Sequence, residues 1–171
     1  MCVQVGNIPS RGLFCAGRVL QGSLAPGTSV EVFCQGRASR AAVREMEIFR
    51  RVTDSLVAGD RGGVFLKLKQ DIEIKRGAVI YDVKSKYVPR DQLEVGLQSI
   101  LGPRTIKGDS VLFHSTSTGG KVTVICDNPP EISDGGQTML KLKLSQKILA
   151  KPGDPFVLRN NQNYYKGIIM Q

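Results

Sequence analysis

The sequence predicts an all-β protein built from two tandem small antiparallel β-barrels. Three observations carry this prediction. Short stretches in which apolar and polar residues alternate recur along the chain, the mark of half-buried strands. The 19 glycines and 8 prolines fall at short intervals between those stretches, where turns are needed. Finally, "LAPGTSVEV" and "AKPGDPFVL" share one design, a Pro-Gly turn (Pro26-Gly27 and Pro152-Gly153) that launches a strand. The same device far apart in the chain suits two barrels better than one large one.

The strands follow in order. In "SVEVFC", Val30 and Val32 alternate with Glu31 and Phe33, which predicts a strand with the two valines inward. In "KVTVIC", Val122, Val124 and Cys126 share a face. "LKLKL" is the clearest case, with Leu140, Leu142 and Leu144 inward and Lys141 and Lys143 outward. No window longer than about ten residues sustains a helical apolar stripe, so long helices are not expected. "YDVKSKYVPRD", Tyr81 to Asp91, is polar and holds Pro89, so the linker is placed here. The expected division is a first barrel over 1–83, a linker over 84–91 and a second barrel over 92–171, the chain starting inside a strand. Each half has about 80 residues, enough for a small closed barrel.

At 41% hydrophobic and 23% charged residues, the chain reads as soluble and globular. It lacks an apolar run of roughly 18 residues, so no membrane span is expected. The N-terminus lacks the charged and apolar regions of a secretory signal, and a cytoplasmic location is expected. Cys2, Cys15, Cys34 and Cys126 form no CxxC pair and His114 is the single histidine, so no metal site is expected and the thiols read as reduced. "GGKV" at Gly119 to Val122 fails the phosphate-loop pattern. His114 has no evident nucleophile partner, and the carboxylates are scattered. The chain itself therefore reads as a binding module and not an enzyme. Its net charge of +9 favours a polyanionic partner.

"EIFRRVTDSLVAGDRGG", Glu47 to Gly63, gathers a carboxylate, an aromatic and two adjacent arginines, then a turn that presents a third arginine. Upstream, "RGLFCAGRVLQGSLAPGTSVEV" resembles the second domain of elongation factor Tu and its relatives, whose pattern is close to GRGTVxTGRVxxGxLKxGDxVEI. Arg11, Gly12, Gly17, Arg18, Val19, Gly22, Leu24, Gly27, Val30 and Glu31 fall in register with it. "MEIFRRVTDSLVAGD" resembles VEMFRKxLxxGxAGD, and "IKRGAVI" resembles VERGxVL. "FVLRNNQNYYKGIIM" resembles the closing FxxREGxxTxGxGxV of the third domain. The likeness covers nearly the whole chain and is weaker over Asp91 to Gly136. It implies one domain II-like and one domain III-like barrel. It also implies that GTP and Mg belong to a GTPase domain that precedes these barrels in the family and lies outside this sequence.

The resemblance implies binding of aminoacyl-tRNA. Ile8, Phe14 and Phe65 are expected as apolar walls for the terminal adenine, although Phe14 and Phe65 read equally well as plain barrel core. Glu47 is expected against the base, Arg50 beside the ester and ribose, and Phe49 facing the amino-acid side chain. The chemistry is suitable, since a base offers a π-face to apolar and guanidinium groups and its ribose takes polar donors. Arg159, Asn160 and Asn161 match the loop that meets the tRNA T-arm backbone, where donors position phosphates without reading sequence. Lys141 and Lys143 either touch RNA or keep a strand soluble.

Arg61 stands where elongation factor Tu has asparagine, and an arginine there is similar to the selenocysteine-specific elongation factors. A selenol is far more acidic than a thiol, whose pKa is about 8.5, so selenocysteine is an anion at neutral pH. A cation at about 4 Å and an effective dielectric near 20 attracts it by roughly 4 kcal/mol before desolvation, enough to discriminate against neutral serine. The bland alternative is a surface arginine at a turn. The entry strand "VQVGNIPSRG" is shorter than the family's, so a second basic group near the selenium has no counterpart. The expected function is thus the aminoacyl-tRNA-binding part of an elongation GTPase, with Sec-tRNA, the ribosome and the GTPase domain of the same polypeptide as partners. Two alternatives stay open: a release or ribosome-rescue relative that binds a protein, and a basic β-barrel protein-interaction module unrelated to translation.

Overall fold

The computed structural model describes residues 2–99, 104–105, 110–115, 119–125, 131–132, 137–159 and 164–171. These residues form strands and turns with no helix. The chain is all-β, in curled antiparallel sheets. It divides into two compact units, Met1–Ser85 and Lys86–Gln171. The division falls inside the segment 84–91 expected as a linker. Residues 88–91 of that segment belong to the first strand of the second unit.

The first unit holds β1 (Cys2–Ile8), β2 (Gly12–Arg18), β3 (Ser23–Leu24), β4 (Ser29–Cys34), β5 (Arg37–Ile48), β6 (Arg51–Val52), β7 (Leu56–Val57), β8 (Arg61–Leu68) and β9 (Val79–Asp82). Its main sheet runs β1-β2-β8-β5-β4-β9, with β6 added beside β5 and a separate β3–β7 pair. Among the described residues no ladder joins β1 to β9, so the sheet stays open where a closed barrel was expected. Its core is Cys15, Val30, Val32, Ala41, Val43, Met46, Leu56, Val64 and Leu66 with their neighbours. Val30 and Val32 point inward as the alternation predicts. Phe33 departs from the prediction: it faces the other way yet is buried, opposite the buried Val79 and two residues from the Glu31–Tyr81 pair. This part of the sheet is therefore apolar on both faces.

The second unit holds β10 (Val88–Ser99), β11 (Arg104–Thr105), β12 (Ser110–Ser115), β13 (Gly119–Ile125), β14 (Glu131–Ile132), β15 (Gln137–Ala150), β16 (Pro155–Arg159) and β17 (Tyr164–Ile169). Six of these, β10-β15-β13-β12-β16-β17, are hydrogen-bonded in a ring. Leu140, Leu142 and Leu144 are buried while Lys141 and Lys143 are exposed, as the period of two requires. Those leucines pack with Leu93, Val95, Leu97 and the stacked rings of Phe113 and Phe156, 5.2 Å between centroids. Gly167 is required here, because a Cβ would lie 2.4 Å from the Phe156 ring. Cys126 lies outside the described residues. Cys15 and Cys34 are buried, and neither forms a disulfide among the described residues.

The two Pro-Gly turns are built alike. Thr28 N–H donates to Ala25 O at 3.3 Å with Gly27 at φ 82°, and Asp154 N–H donates to Lys151 O at 3.2 Å with Gly153 at φ 86°. Both have the positive third-position φ of a type II turn, which glycine adopts without strain. Each turn then clamps a single residue of a neighbouring strand. Gly27 N–H donates to Val43 O and Val43 N–H to Thr28 O; Gly153 N–H donates to Ile169 O and Ile169 N–H to Asp154 O. In the second unit the turn is fastened further by the buried Asp154, whose carboxylate accepts from Lys151 N–H, from the Lys151 ammonium at 3.1 Å and from the Tyr87 hydroxyl at 3.3 Å.

Candidate functional site

The side chains of β2, β5 and β8 that do not enter the first core lie on the opposite face of the sheet, and the ladder register determines which of them meet. Phe14 lies opposite Phe65, and Phe65 opposite Glu45; Ala16 lies opposite Gly63, and Gly63 opposite Glu47; Arg18 lies opposite Arg61. Cys15, Val64 and Met46, which alternate with these residues, are core. A bulge between Val43 and Glu45 makes this possible. Strict alternation from Ala41 and Val43 would turn Glu45 inward. The extra residue, Arg44, re-phases the strand so that Met46 enters the core and Glu45 and Glu47 face outward.

Arg11 organises this outer face. It follows a Pro9-Ser10 turn in which Arg11 N–H donates to Ile8 O at 3.1 Å and Ser10 takes φ 67°. The turn folds the side chain back over β8. The guanidinium carbon sits 3.7 Å above the centre of the Phe65 ring, a contact worth about 0.5–2 kcal/mol. The same group pairs with Glu45 and, at 3.3 Å, with Glu47. Phe65 is only 1% exposed as a result. It is neither plain core nor an open wall, but a ring on the outer face roofed by an arginine. Phe14 is half-buried beside it, ring centres 5.0 Å apart. The Phe14 ring lies against the backbone of Gly63, where a Cβ would come within 2.3 Å of it. Ile8 lines an open groove of about 450 Å³ with Asn7, Pro9, Ser10, Gly12 and Arg44.

Phe49 and Arg50 form the two-residue turn between β5 and β6, where Ile48 pairs with Arg51. Both have positive φ, 49° and 64°. This is the two-residue hairpin geometry usually filled by Asn-Gly, and each non-glycine residue in it costs roughly 1–2 kcal/mol. The turn carries Phe49 out to 93% exposure. The β5–β8 ladder ends with Glu47 opposite Gly63, so the Phe49-Arg50 turn that follows β5 and the Arg61 that begins β8 lie at the same end of it. Arg18, opposite Arg61, is exposed at that end too.

In the second unit Arg159 is exposed at the end of β16, and Asn160 and Asn161 lie outside the described residues. His114 is exposed on β12. Among the described residues no group of three or more His, Cys, Asp or Glu is placed to hold a metal ion, and no helix is long and apolar enough to cross a membrane.

Sequence reasoning singled out Glu47 and Phe65 but missed Arg11, the residue that pairs with the one and covers the other. Arg11 entered only as one of a row of matching positions, and Glu45 and Gly63 had no assigned part. The available signal was the pair of carboxylates two apart in "EME", which on a regular strand share one face and call for a cation. No protein-family model matches the chain.

Proposed function

We propose that the chain is the tandem β-barrel part of a translation GTPase of the elongation-factor-Tu class, binding aminoacyl-tRNA with Sec-tRNA as the favoured cargo in the cytoplasm. On this reading the first curled sheet is the domain II-like barrel and the ring of six strands is the domain III-like barrel. GTP hydrolysis belongs to the GTPase domain of the same polypeptide.

The observation that carries the reading is the strained Phe49-Arg50 turn set at the Arg61 end of the outer face. Backbone strain persists at functional sites where the surrounding structure maintains it, and on this reading the turn offers Phe49 and Arg50 to the same charged-tRNA end that Arg61 meets. The ring offers a stacking surface for a base or an apolar amino-acid side chain. Arg50 supplies donors for the ester and ribose. Arg61 supplies the positive charge that favours a selenolate over a neutral hydroxyl. Glu47, held by Arg11, offers an acceptor to the exocyclic amine of adenine. The exposed Arg159 suits a T-arm phosphate.

The test compares Sec-tRNA and Ser-tRNA binding to the full-length protein with GTP, for the native chain and Arg61→Ala. Tighter binding of Sec-tRNA, lost in Arg61→Ala with Ser-tRNA affinity unchanged, supports the reading. Equal affinities in all four cases remove the selenocysteine assignment, and absence of charged-tRNA binding in all four removes the elongation-factor reading.

A further inference from the structure

Arg11 serves two carboxylates unequally. One guanidinium nitrogen, Nη2, donates to Glu45 Oε1 in a close bond and to Glu47 Oε2 at 3.3 Å. Charged pairs of this kind normally close to about 2.7–2.9 Å, so Glu47 has the loose end of the arrangement. Its other oxygen, Oε1, accepts no hydrogen bond among the described residues.

Solvation alone would divide the arginine the other way. The Glu47 side chain is 15% exposed and that of Glu45 37%. The drier carboxylate gains more from a cation, because attraction grows as the effective dielectric falls. Leaving a largely buried carboxylate with one long bond also costs free energy. Charge would therefore draw Arg11 to Glu47, but register and packing hold it elsewhere. Phe65 lies opposite Glu45 in the ladder, so a guanidinium seated 3.7 Å over that ring has its nitrogen at Glu45. The space over Gly63, beside Glu47, is taken by the Phe14 ring. A Cβ on Gly63 would meet that ring at 2.3 Å and Glu47 Cγ at 3.2 Å.

We propose that Glu45 is a positioning residue, which keeps Arg11 over Phe65 and so leaves Glu47 Oε1 free to accept a hydrogen bond from the exocyclic amine of the terminal adenine. The inference rests on the charged-tRNA reading and extends it to a side chain that touches no ligand. Without Glu45, Arg11 turns to Glu47 and engages both of its oxygens, as a guanidinium fork does with a lone carboxylate. The acceptor is then lost although Glu47 itself is unchanged. A terminal base with no amine to donate gains nothing from Glu45.

Two measurements test this. In the first, without RNA, NMR follows the side-chain protons of Arg11. Seated over Phe65 they carry an upfield ring-current shift, present in the native protein and lost in Glu45→Gln. In the second, the full-length protein with GTP binds charged tRNA ending either in adenosine or in purine riboside, which lacks the amine. The native protein prefers adenosine by about tenfold, the low end for a hydrogen bond to a charged group. Glu45→Gln brings that preference to within about twofold, and Glu45→Asp, which keeps the charge, retains most of it. Removing one negative charge strengthens binding of both tRNAs alike, and the ratio cancels that gain. A merely stabilising Arg11–Glu45 pair would leave the ratio unchanged in every variant. That result, or an Arg11 shift unchanged in Glu45→Gln, overturns the proposal while the charged-tRNA reading stands. If the native protein binds neither tRNA, that reading fails and the proposal falls with it.

Discussion

Arg50 is held against its own conformational preference. Its φ of 64°, like the 49° of Phe49, belongs to a region glycine occupies freely and an arginine does not. Arg50→Gly should therefore stabilise the fold by about 0.5–1 kcal/mol in urea unfolding, the strain relieved exceeding the added chain entropy. The same substitution should weaken charged-tRNA binding, because the donor group is gone. Opposite signs in the two measurements are the expected outcome; a loss in both would mean that the turn is held by contacts of the arginine itself. Titration is the other residue-scale property. Burial first, and then the hydrogen bond to Glu31, push the Tyr81 hydroxyl well above its ordinary value of 10.0. Burial, then the charge of Asp154, push Tyr87 up as well, and the Asp154 hydrogen bond raises Lys151. A raised value in the folded state means that the stabilisation is whole below pH 10 and is lost as pH climbs toward the folded value. Thermal melts should thus be flat from pH 8 to 9.5 and fall above pH 10, by at most about 1.4 kcal/mol per pH unit for each group. Tyr81→Phe should flatten part of that fall.

Among the elements, β5 joins the core to the site. Its alternation changes phase at Arg44, and the two glutamates face outward because of that one residue. Deleting Arg44 should leave a regular strand in which Glu45 and Glu47 still face outward and Met46 still faces inward. The expected result is a cooperative fold weakened by no more than about 2 kcal/mol, with the extra bend of β5 removed and the Arg11–Glu45 contact altered. Urea unfolding measures the first. Fluorescence of a tryptophan placed at Phe65 would report the second, since Arg11 covers that position. Unfolding of the deletion variant at low denaturant would show that the bulge is needed for folding itself. The turns at Pro26-Gly27 and Pro152-Gly153 sit at the same scale and were legible early, because Pro and Gly specify φ locally. Their clamps on Val43 and Ile169 were not, because each partner comes from a distant part of the chain.

Each unit of the whole molecule has its own buried cluster, and the two clusters share no residue. Met46→Ala in the first and Leu142→Ala in the second each remove a side chain at most 1% exposed. A cost of about 2–5 kcal/mol is expected for either. Amide exchange should show protection lost mainly within the unit that carries the substitution. Equal loss across residues 2–85 and 86–171 for both variants would show that the two cores unfold as one. The charge of +9 is likewise a property of the entire chain, and it favours polyanions without saying where they bind.

Much of this protein was written locally. The period of two in "LKLKL", the Pro-Gly turns and the basic excess depend on neighbouring residues alone, so the all-β class and the paired turn device could be read directly from them. Pairing register has no such local signature. Arg11 finds Glu45 and Glu47 across 34 and 36 residues of chain. Phe65 ends beneath a guanidinium, and Arg40 beside Lys69, only because particular strands lie next to one another in one alignment. A shift of one residue would turn each side chain to the opposite face. That alignment is selected by the packing of the buried face as a whole, and it decided which charges and rings share a surface.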